Sequence, residues 1–193
     1  MAERGGGRRT WRPRHHGPVT DHHHDHDGWP GAFTYCPHCT APLERQQVGG
    51  RERPMCPECG FVHWRNPGVG AAVVIRDGEG RILMVKRAEG ATRAGMWSVP
   101  AGFVDYGEEV RAAAARELEE ETGLVAEVGR VLFVASNFHD PEKLTVGIWF
   151  EGTVVGGELR PGDDAEEARF FALDDLPPLA FETDREFLVN LDG

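Results

Sequence analysis

Three glutamates are spaced so that one face of a helix would carry all of them. Glu117, Glu120 and Glu121 lie at i, i+3 and i+4 within residues 102–124, and at about 100° per residue these positions share one side of an α-helix. Like charges at this spacing repel one another by roughly a few tenths of a kcal/mol per pair. Carboxylate oxygens at this density suit Mg²⁺ or Mn²⁺, which keep waters that a phosphate oxygen can replace. The spacing alone leaves two interpretations, a divalent-cation site or a solvated acidic face.

Four cysteines form two CxxC pairs. The first pair is Cys36 and Cys39, the second is Cys56 and Cys59, and the sixteen residues Thr40–Met55 separate them. Two such knuckles place four thiolates around one Zn²⁺, and this spacing is typical of zinc sites. A redox-active CxxC would need a βαβ pattern beside it, which the neighbouring sequence does not show. We therefore predict a zinc ribbon, and we favour a structural role for it over nucleic-acid binding.

Composition divides the chain into three parts. Residues 1–33 are low in complexity and predict a disordered tail, residues 34–66 hold all four cysteines, and residues 67–193 carry an alternating pattern of strands and helices. The strands are predicted at 70–76, 81–87, 96–99, 124–135, 144–155 and 169–172, and the helices at 109–122 and 184–191. An Asp-Gly-Glu-Gly turn at 77–80 predicts that the first two strands form a hairpin. Together these elements predict an α+β domain with a mostly antiparallel or mixed sheet.

The glutamate segment also resembles a known family signature. Residues 102–124 are similar to the Nudix box, G-x5-E-x7-R-E-U-x-E-E-x-G-U with U apolar, through Gly102, Glu108, Arg116, Glu117, Leu118, Glu120, Glu121, Gly123 and Leu124. The resemblance spans about residues 67–192 and implies a Nudix-type α/β/α sandwich with a mixed sheet, here preceded by the ribbon. It implies that the three helix glutamates, with the backbone carbonyl near Gly102, would hold the metal. It also implies that Glu108 and Arg116 would form an ion pair that orients them.

The resemblance further implies hydrolysis of a diphosphate. The oxygens of a diphosphate repel an incoming nucleophile, and bound divalent cations offset that charge. Water would attack one phosphorus in line and release a nucleoside monophosphate. The general base stays open between a box glutamate, Glu117 or Glu121, and an acid on a later loop. That loop offers Asp163, Asp164, Glu166 and Glu167, although we favour an exposed acidic turn over catalysis for any one of these four.

A ribbon ahead of the box is similar to one branch of the family, which includes NADH pyrophosphatases and hydrolases of FAD or ADP-ribose. NADH pyrophosphatases carry an SQPWPFP-type signature after the box, whereas residues 135–141 here read ASNFHDP. We therefore expect a substrate of the ADP-ribose or FAD type ahead of NADH. Phe138 and His139 would either contact the base of the substrate or pack within their loop.

Several side chains outside the box have both a functional and a plain interpretation. Trp97 lies just before the box. Its side chain would either pack in the core or stack on the substrate, and we favour packing in the core. Lys86 and Arg87 end a predicted strand and would either meet a phosphate or lie on the surface. The histidine-rich run at 21–27 would bind Zn²⁺ or Ni²⁺ only loosely, because no fold fixes its geometry.

The net charge limits the kinds of partner that we expect the protein to bind. A net charge of −11, from 21 Lys and Arg against 32 Asp and Glu, disfavours long nucleic acid. No apolar run approaches the ~20 residues of a membrane span, and no apolar segment follows the basic residues 1–14. We therefore expect a cytoplasmic protein that acts on a small nucleotide derivative without a membrane partner. Ribbon-bearing relatives suggest a homodimer.

Three other functions stay open at this point. The chain could hydrolyse free nucleoside triphosphates, it could be a Nudix-fold sensor that binds a nucleotide without cutting it, or it could remove RNA caps. The full set of box glutamates argues against a sensor, and the acidic charge argues against an RNA partner.

Overall fold

The computed structural model of the chain describes residues 33–137, 143–162 and 165–191. The predicted tail, including the histidine-rich run, lies outside these ranges except for Phe33. The elements in chain order are β1 (Glu44–Val48), β2 (Arg51–Met55), β3 (Gly68–Ile75), β4 (Ile82–Arg87), β5 (Trp97–Ser98), β6 (Ala101–Phe103), α1 (Val110–Thr122), β7 (Leu124–Asn137), β8 (Thr145–Gly157), β9 (Ala165–Phe171) and α2 (Glu182–Val189).

A small antiparallel hairpin joins the two cysteine pairs. Strands β1 and β2 pair along their whole length, and the turn between them uses Gly49 and Gly50, whose φ angles of 62° and 77° favour glycine. This hairpin was not among the predicted elements. Its side chains are mostly exposed, so no alternation of apolar and polar residues marks it in the sequence.

Two sheets make up the rest of the described fold. The larger has the strand order β6-β3-β8-β7, and the smaller has the order β5-β4-β9. Strands β3 and β8 run parallel, while the other pairs are antiparallel. The predicted mixed sheet is therefore confirmed.

The turn at 77–80 has a different consequence from the one we expected. The Asp77 carboxylate accepts hydrogen bonds from the backbone N–H groups of Glu79 and Arg81, both at 2.9 Å, so the tight turn forms. The two strands that it joins then part into separate sheets and share only the bridge Arg76↔Ile82. The predicted hairpin ladder is wrong, because β3 pairs instead with β6 and β8, and β4 pairs with β5 and β9.

The larger sheet is covered on both faces. Successive residues of β3 point to opposite sides: Ala71 and Val73 pack with α1, whereas Ala72 and Val74 pack in the cluster that holds Phe187 of α2. Helix α1 presents Ala113, Ala114 and Leu118 to the sheet, all at most 1% exposed. These layers confirm the predicted α/β/α sandwich. None of the helices in the described ranges is long and apolar enough to cross a membrane.

Strand β9 begins earlier than its predicted start at residue 169. Ala165 to Phe171 pair with β4, with Glu167 opposite Lys86. The acidic side chains hid this strand, because the sequence pattern there reads as a polar turn. The part of the predicted acidic turn from residue 165 onward is therefore corrected to a strand. Asp163 and Asp164 lie outside the described residues.

Candidate active site

Strand β6 and helix α1 carry the box residues. The helix begins after Glu109, whose carboxylate accepts the backbone N–H groups of Arg111 and Ala112 at 2.8 and 3.0 Å. It ends at Gly123, which adopts φ 70° and donates its N–H to the Glu119 carbonyl at 2.8 Å. Both ends fit standard caps, and the predicted helix is confirmed. The side of α1 that carries the glutamates therefore has a fixed position against β6.

Arg116 lies at the centre of the box. Its Nε and Nη2 donate to the two carboxylate oxygens of Glu108 at 2.9 and 3.0 Å, a bidentate ion pair. Its Nη1 donates to Glu117 at 2.8 Å and to Glu120 at 3.1 Å, and Nη2 also reaches the Phe103 carbonyl of β6 at 3.1 Å. One guanidinium thus connects the loop, the strand and two of the three helix glutamates.

The charges of this network shift the pKa values of its members. The hydrogen bonds from Arg116, with the N–H of Asp105, lower the pKa of Glu108 to about 2. The hydrogen bonds that Arg116 donates to Glu108 and Glu117 raise the pKa of Arg116. Burial raises the pKa of Glu117, although the charge of Arg116 works against this. Glu108 and Arg116 therefore stay charged at neutral pH.

Gly102 is required by the position of Glu117. A Cβ on Gly102 would overlap the carboxylate of Glu117, so any other residue at position 102 would displace that side chain. The backbone of β6 and the Glu117 carboxylate can approach this closely only because position 102 carries no side chain.

Glu121 also contacts strand β6, through a backbone N–H group. Its Oε2 accepts the backbone N–H of Ala101 at 3.0 Å. Glu117 and Glu120 turn to Arg116 instead, so the structure brings the three predicted ligands to one helix face but not into one tight cluster. Within the described ranges, the four cysteines are the one group of three or more potential ligand side chains within 4.8 Å of one another. A cation between the glutamates would draw the Glu117 and Glu120 carboxylates away from Arg116.

The donor set fits a hard divalent cation. Carboxylate and carbonyl oxygens at the β6–α1 junction are the ligands that Mg²⁺ and Mn²⁺ prefer. The roles of Glu117, Glu120, Glu121 and Gly102 as ligands stay predictions, as does the role of Glu108 and Arg116 in supporting them.

The segment after β8 caps the end of the glutamate helix. The backbone N–H groups of Glu158, Arg160 and Gly162 donate to the carbonyls of Gly123, Thr122 and Glu121 at 3.2, 2.9 and 3.0 Å. A Cβ on Gly162 would overlap the Glu120 carbonyl. Sequence reasoning missed this segment, since main-chain hydrogen bonds leave no side-chain signal, and only the glycine at 162 hints at close approach.

The acids that follow this cap have separate partners. Glu166 and Glu167 bind the Lys86 ammonium at 3.0 and 3.3 Å. Lys86, predicted to meet a phosphate or the surface, thus bridges β4 and β9. Glu166 and Glu167 stay candidates for the general base only if that ion pair opens.

The remaining candidate residues from the sequence are Trp97, Arg87, Phe138 and His139. Trp97 is 5% exposed, so the core interpretation is correct. The Arg87 Nε donates to the Thr92 carbonyl at 2.6 Å and its guanidinium lies 5.2 Å from the centre of the Phe181 ring. Phe138 and His139 lie outside the described residues.

The four cysteines form a compact sulfur cluster. The Sγ atoms of Cys36 and Cys59 are 3.5 Å apart, and those of Cys39 and Cys56 are 3.4 Å apart. Tetrahedral Zn²⁺ with Zn–S bonds of about 2.3 Å requires sulfurs at about this separation. The knuckles present backbone N–H groups to the sulfurs, as His38 does to Cys36 at 3.4 Å.

Comparison with known proteins agrees with this geometry. Residues 66–191 match the NUDIX domain model, and residues 34–65 match the zinc-ribbon model described as Nudix N-terminal. The chain belongs to the Nudix family.

Two named relatives are similar in sequence to this chain. An ADP-ribose pyrophosphatase of Methanocaldococcus jannaschii is 44% identical over 108 residues, 55% of this chain and 63% of that protein. A NAD-capped RNA hydrolase NudC of Pseudomonas aeruginosa is 33% identical over 154 residues, 78% of this chain and 52% of that protein. The chain thus spans between half and two thirds of the length of these relatives.

A solved structure gives the same family. The crystal structure of a Nudix hydrolase from Nitrosomonas europaea superposes with a TM-score of 0.70 and 28% identity, covering 81% of this chain and 88% of that one. The Nudix assignment therefore rests on the box, on the sandwich and on the ribbon together.

We expect the substitution Gly102→Ala to weaken Mn²⁺ binding by about tenfold or more, because the new methyl group would push the Glu117 carboxylate out of place. Electron paramagnetic resonance titration of free Mn²⁺ measures the affinity. Gly156→Ala is the matched control: it lies in β8, where a Cβ would meet its nearest atom, in the Val125 side chain, at 3.9 Å. Equal affinities for both variants would contradict the assigned role of position 102.

We expect the stability difference between the wild type and Glu108→Gln to depend on pH. The folded state lowers the pKa of Glu108 from 4.5 to about 2, so the folded state holds fewer protons there than the unfolded state between these values. Its stabilising contribution is therefore complete above about pH 4.5 and disappears as the pH falls through about 2. Urea unfolding without divalent cations at pH 7, 5 and 3 measures the difference.

The exposed Glu119→Gln on the same helix is the control and should show little difference at any of these pH values. A penalty for Glu108→Gln that is as large at pH 3 as at pH 7 would show that the ion pair is not its source.

Proposed function

We propose that this Nudix protein hydrolyses the diphosphate bond of a nucleoside diphosphate linked to another moiety, of the ADP-ribose, FAD or NADH type, and releases a nucleoside monophosphate. The arrangement around Arg116 carries the proposal: one guanidinium orients Glu108, Glu117 and Glu120 at 2.8–3.1 Å, and β6 presents Gly102 and Ala101 to the same helix face. The names of the ADP-ribose pyrophosphatase and NudC relatives support the substrate class.

The chain supplies the binding frame for this chemistry. Glu117, Glu120 and Glu121, with the Gly102 carbonyl, would hold Mg²⁺ or Mn²⁺, which when bound offsets the charge of the diphosphate and lowers the pKa of a coordinated water. Arg116 and Glu108 keep the loop and helix in register. Glu121 and Glu117 are the candidates for accepting the proton of the attacking water within the box, and the acids of the segment at 163–167 are the candidates outside it.

A cleavage experiment tests the proposed hydrolysis. Purified full-length protein is incubated with Mg²⁺ or Mn²⁺ and separately with ADP-ribose, FAD, NADH, NAD and nucleoside triphosphates, and the products are separated by chromatography. We expect metal-dependent release of AMP from at least one linked diphosphate, and a loss of rate of about 100-fold or more in Glu120→Gln, because an electrostatic contact made in the transition state is removed. Glu119→Gln, one residue away on the exposed side of α1, should keep the wild-type rate.

The alternatives give different outcomes in the same experiment. Cleavage of nucleoside triphosphates alone would favour the clearing of free nucleotides. Binding without cleavage of any compound would favour a sensor and would contradict the proposal. A 5′-NAD-capped RNA oligonucleotide extends the panel, because some of the relatives carry that activity in their names.

We further propose that Cys36, Cys39, Cys56 and Cys59 bind one structural Zn²⁺ in a ribbon at 34–66, with the Nudix domain at 67–193 and a separate tail at 1–33. The sulfur cluster and the match to a zinc-ribbon model support this assignment. Cysteines that bind zinc instead of forming disulfides are typical of a reducing compartment, so we place the protein in the cytoplasm. Association into a homodimer is part of the proposal and would be measured by sedimentation.

We expect metal analysis to find one equivalent of zinc per chain and Cys59→Ser to lose most of it, because three sulfurs hold Zn²⁺ less tightly than four. Inductively coupled plasma mass spectrometry of the dialysed protein measures the content. The Thr40→Ser variant, next to the first knuckle but with no sulfur, is the control. An equal zinc content in both variants would contradict the ligand assignment.

A further inference from the structure

Helix α2 buries an acidic side chain that the box does not use. Asp184 lies in the first turn of α2 and is 4% exposed. Its Oδ1 accepts the indole N–H of Trp149 at 3.1 Å, whereas Oδ2 is buried without a hydrogen-bond partner among the described residues. A buried carboxyl with one free oxygen is costly, so its presence points to a role beyond filling space.

The surroundings of Asp184 come from three different elements. Trp149 belongs to β8, Arg87 ends β4, and the backbone N–H of Val99 belongs to the turn between β5 and β6. Burial raises the pKa of Asp184 to about 7, although the Trp149 and Val99 N–H groups and the charge of Arg87 work against this. The hydrogen bond from the Trp149 indole therefore ties α2 to β8 of the larger sheet.

The chain around Val99 is held from two sides. On the α2 side, Trp97 donates its N–H to the Pro178 carbonyl at 3.0 Å, and Ala180 donates to the Trp97 carbonyl at 2.7 Å. On the α1 side, Ala101 donates to Glu121 at 3.0 Å, and Gly102 adjoins the Glu117 carboxylate. The segment 97–102 thus lies between the start of α2 and the glutamate helix.

We propose that Asp184 is a positioning residue for the active site: its carboxyl ties α2 to the Trp149 indole, and so holds the chain that enters α2, at Pro178 and Ala180, against Trp97 and fixes the turn that delivers Ala101 and Gly102 to the box glutamates. The inference rests on the proposed function for its kinetic readout. Within the described ranges Asp184 forms no hydrogen bond or ion pair with a box residue, so its effect passes through Trp97 and the β5–β6 turn.

The test compares Asp184→Leu, which removes both acceptor oxygens, with Asp184→Asn, which keeps one acceptor at nearly the same volume. Glu182→Gln is the matched control in the same helical turn, where the side chain is 84% exposed. Steady-state kinetics on the best substrate of the wild type, Mn²⁺ titration and the indole N–H resonance of Trp149 are recorded for each. The resonance is assigned by its disappearance in Trp149→Phe.

We expect Asp184→Leu to lower kcat by about tenfold or more, since a small displacement of binding groups is enough for such a loss, while KM stays within about threefold. Its Mn²⁺ affinity should fall, and the Trp149 resonance should move because the N–H loses its acceptor. Asp184→Asn should keep kcat within about threefold and leave the resonance near its wild-type position. Glu182→Gln should match the wild type in all three measurements.

The proposal is overturned if Asp184→Leu lowers only the melting temperature while the folded protein keeps the wild-type kcat and Mn²⁺ affinity, which is the result of a purely structural role. If Asp184→Leu does not fold, Trp149→Phe removes the same hydrogen bond from the other side, and unchanged kcat and Mn²⁺ affinity in that variant would equally overturn the proposal. If the wild type cleaves no compound, the proposed function fails, whereas Mn²⁺ affinity and the indole resonance still decide the role of Asp184.

Discussion

The box depends on a single positive charge placed among carboxylates. Without Arg116, Glu108, Glu117 and Glu120 would repel one another across the β6–α1 junction, and the Phe103 carbonyl would lose its donor. A planar guanidinium can satisfy this many acceptors because its five N–H groups point in fixed directions, which a lysine ammonium cannot reproduce. A cation bound at these glutamates would have to displace the Arg116 guanidinium, so this side chain would both hold the carboxylates in place and compete for Glu117 and Glu120.

Much of this arrangement could be predicted from the sequence, because it depends on residue type and short spacing. The helix over 109–122, its end at Gly123, the zinc-ribbon cysteines and the buried Trp97 follow from local patterns, which determine local structure directly. The box residues are near one another in the chain, so a helical period is enough to place them on one face.

Apart from the exposed hairpin of the ribbon, the errors have a physical origin in contacts between residues that are far apart in sequence. The turn at 77–80 forms as predicted, yet Ile82–Arg87 pairs with Ala165–Phe171, some 80 residues later. Strand β9 was hidden because Glu166 and Glu167 are polar and become strand residues only opposite Lys86. Asp184 gave no signal either, since an acid in the first turn of a helix ordinarily faces water, and only the packing of α2 against Trp149 reveals its burial.

The cap at the end of α1 has a consequence for how such a site can change. The segment that leads to the later acids is attached to the glutamate helix through backbone N–H and carbonyl groups and through the missing side chain of Gly162. Main-chain hydrogen bonds can form whichever side chains the bonded residues carry. The side chains of this segment can therefore be exchanged while the segment stays attached to the helix, so new chemistry or selectivity can be tried there without rebuilding the glutamate helix, provided that the length of the segment and the glycine are kept.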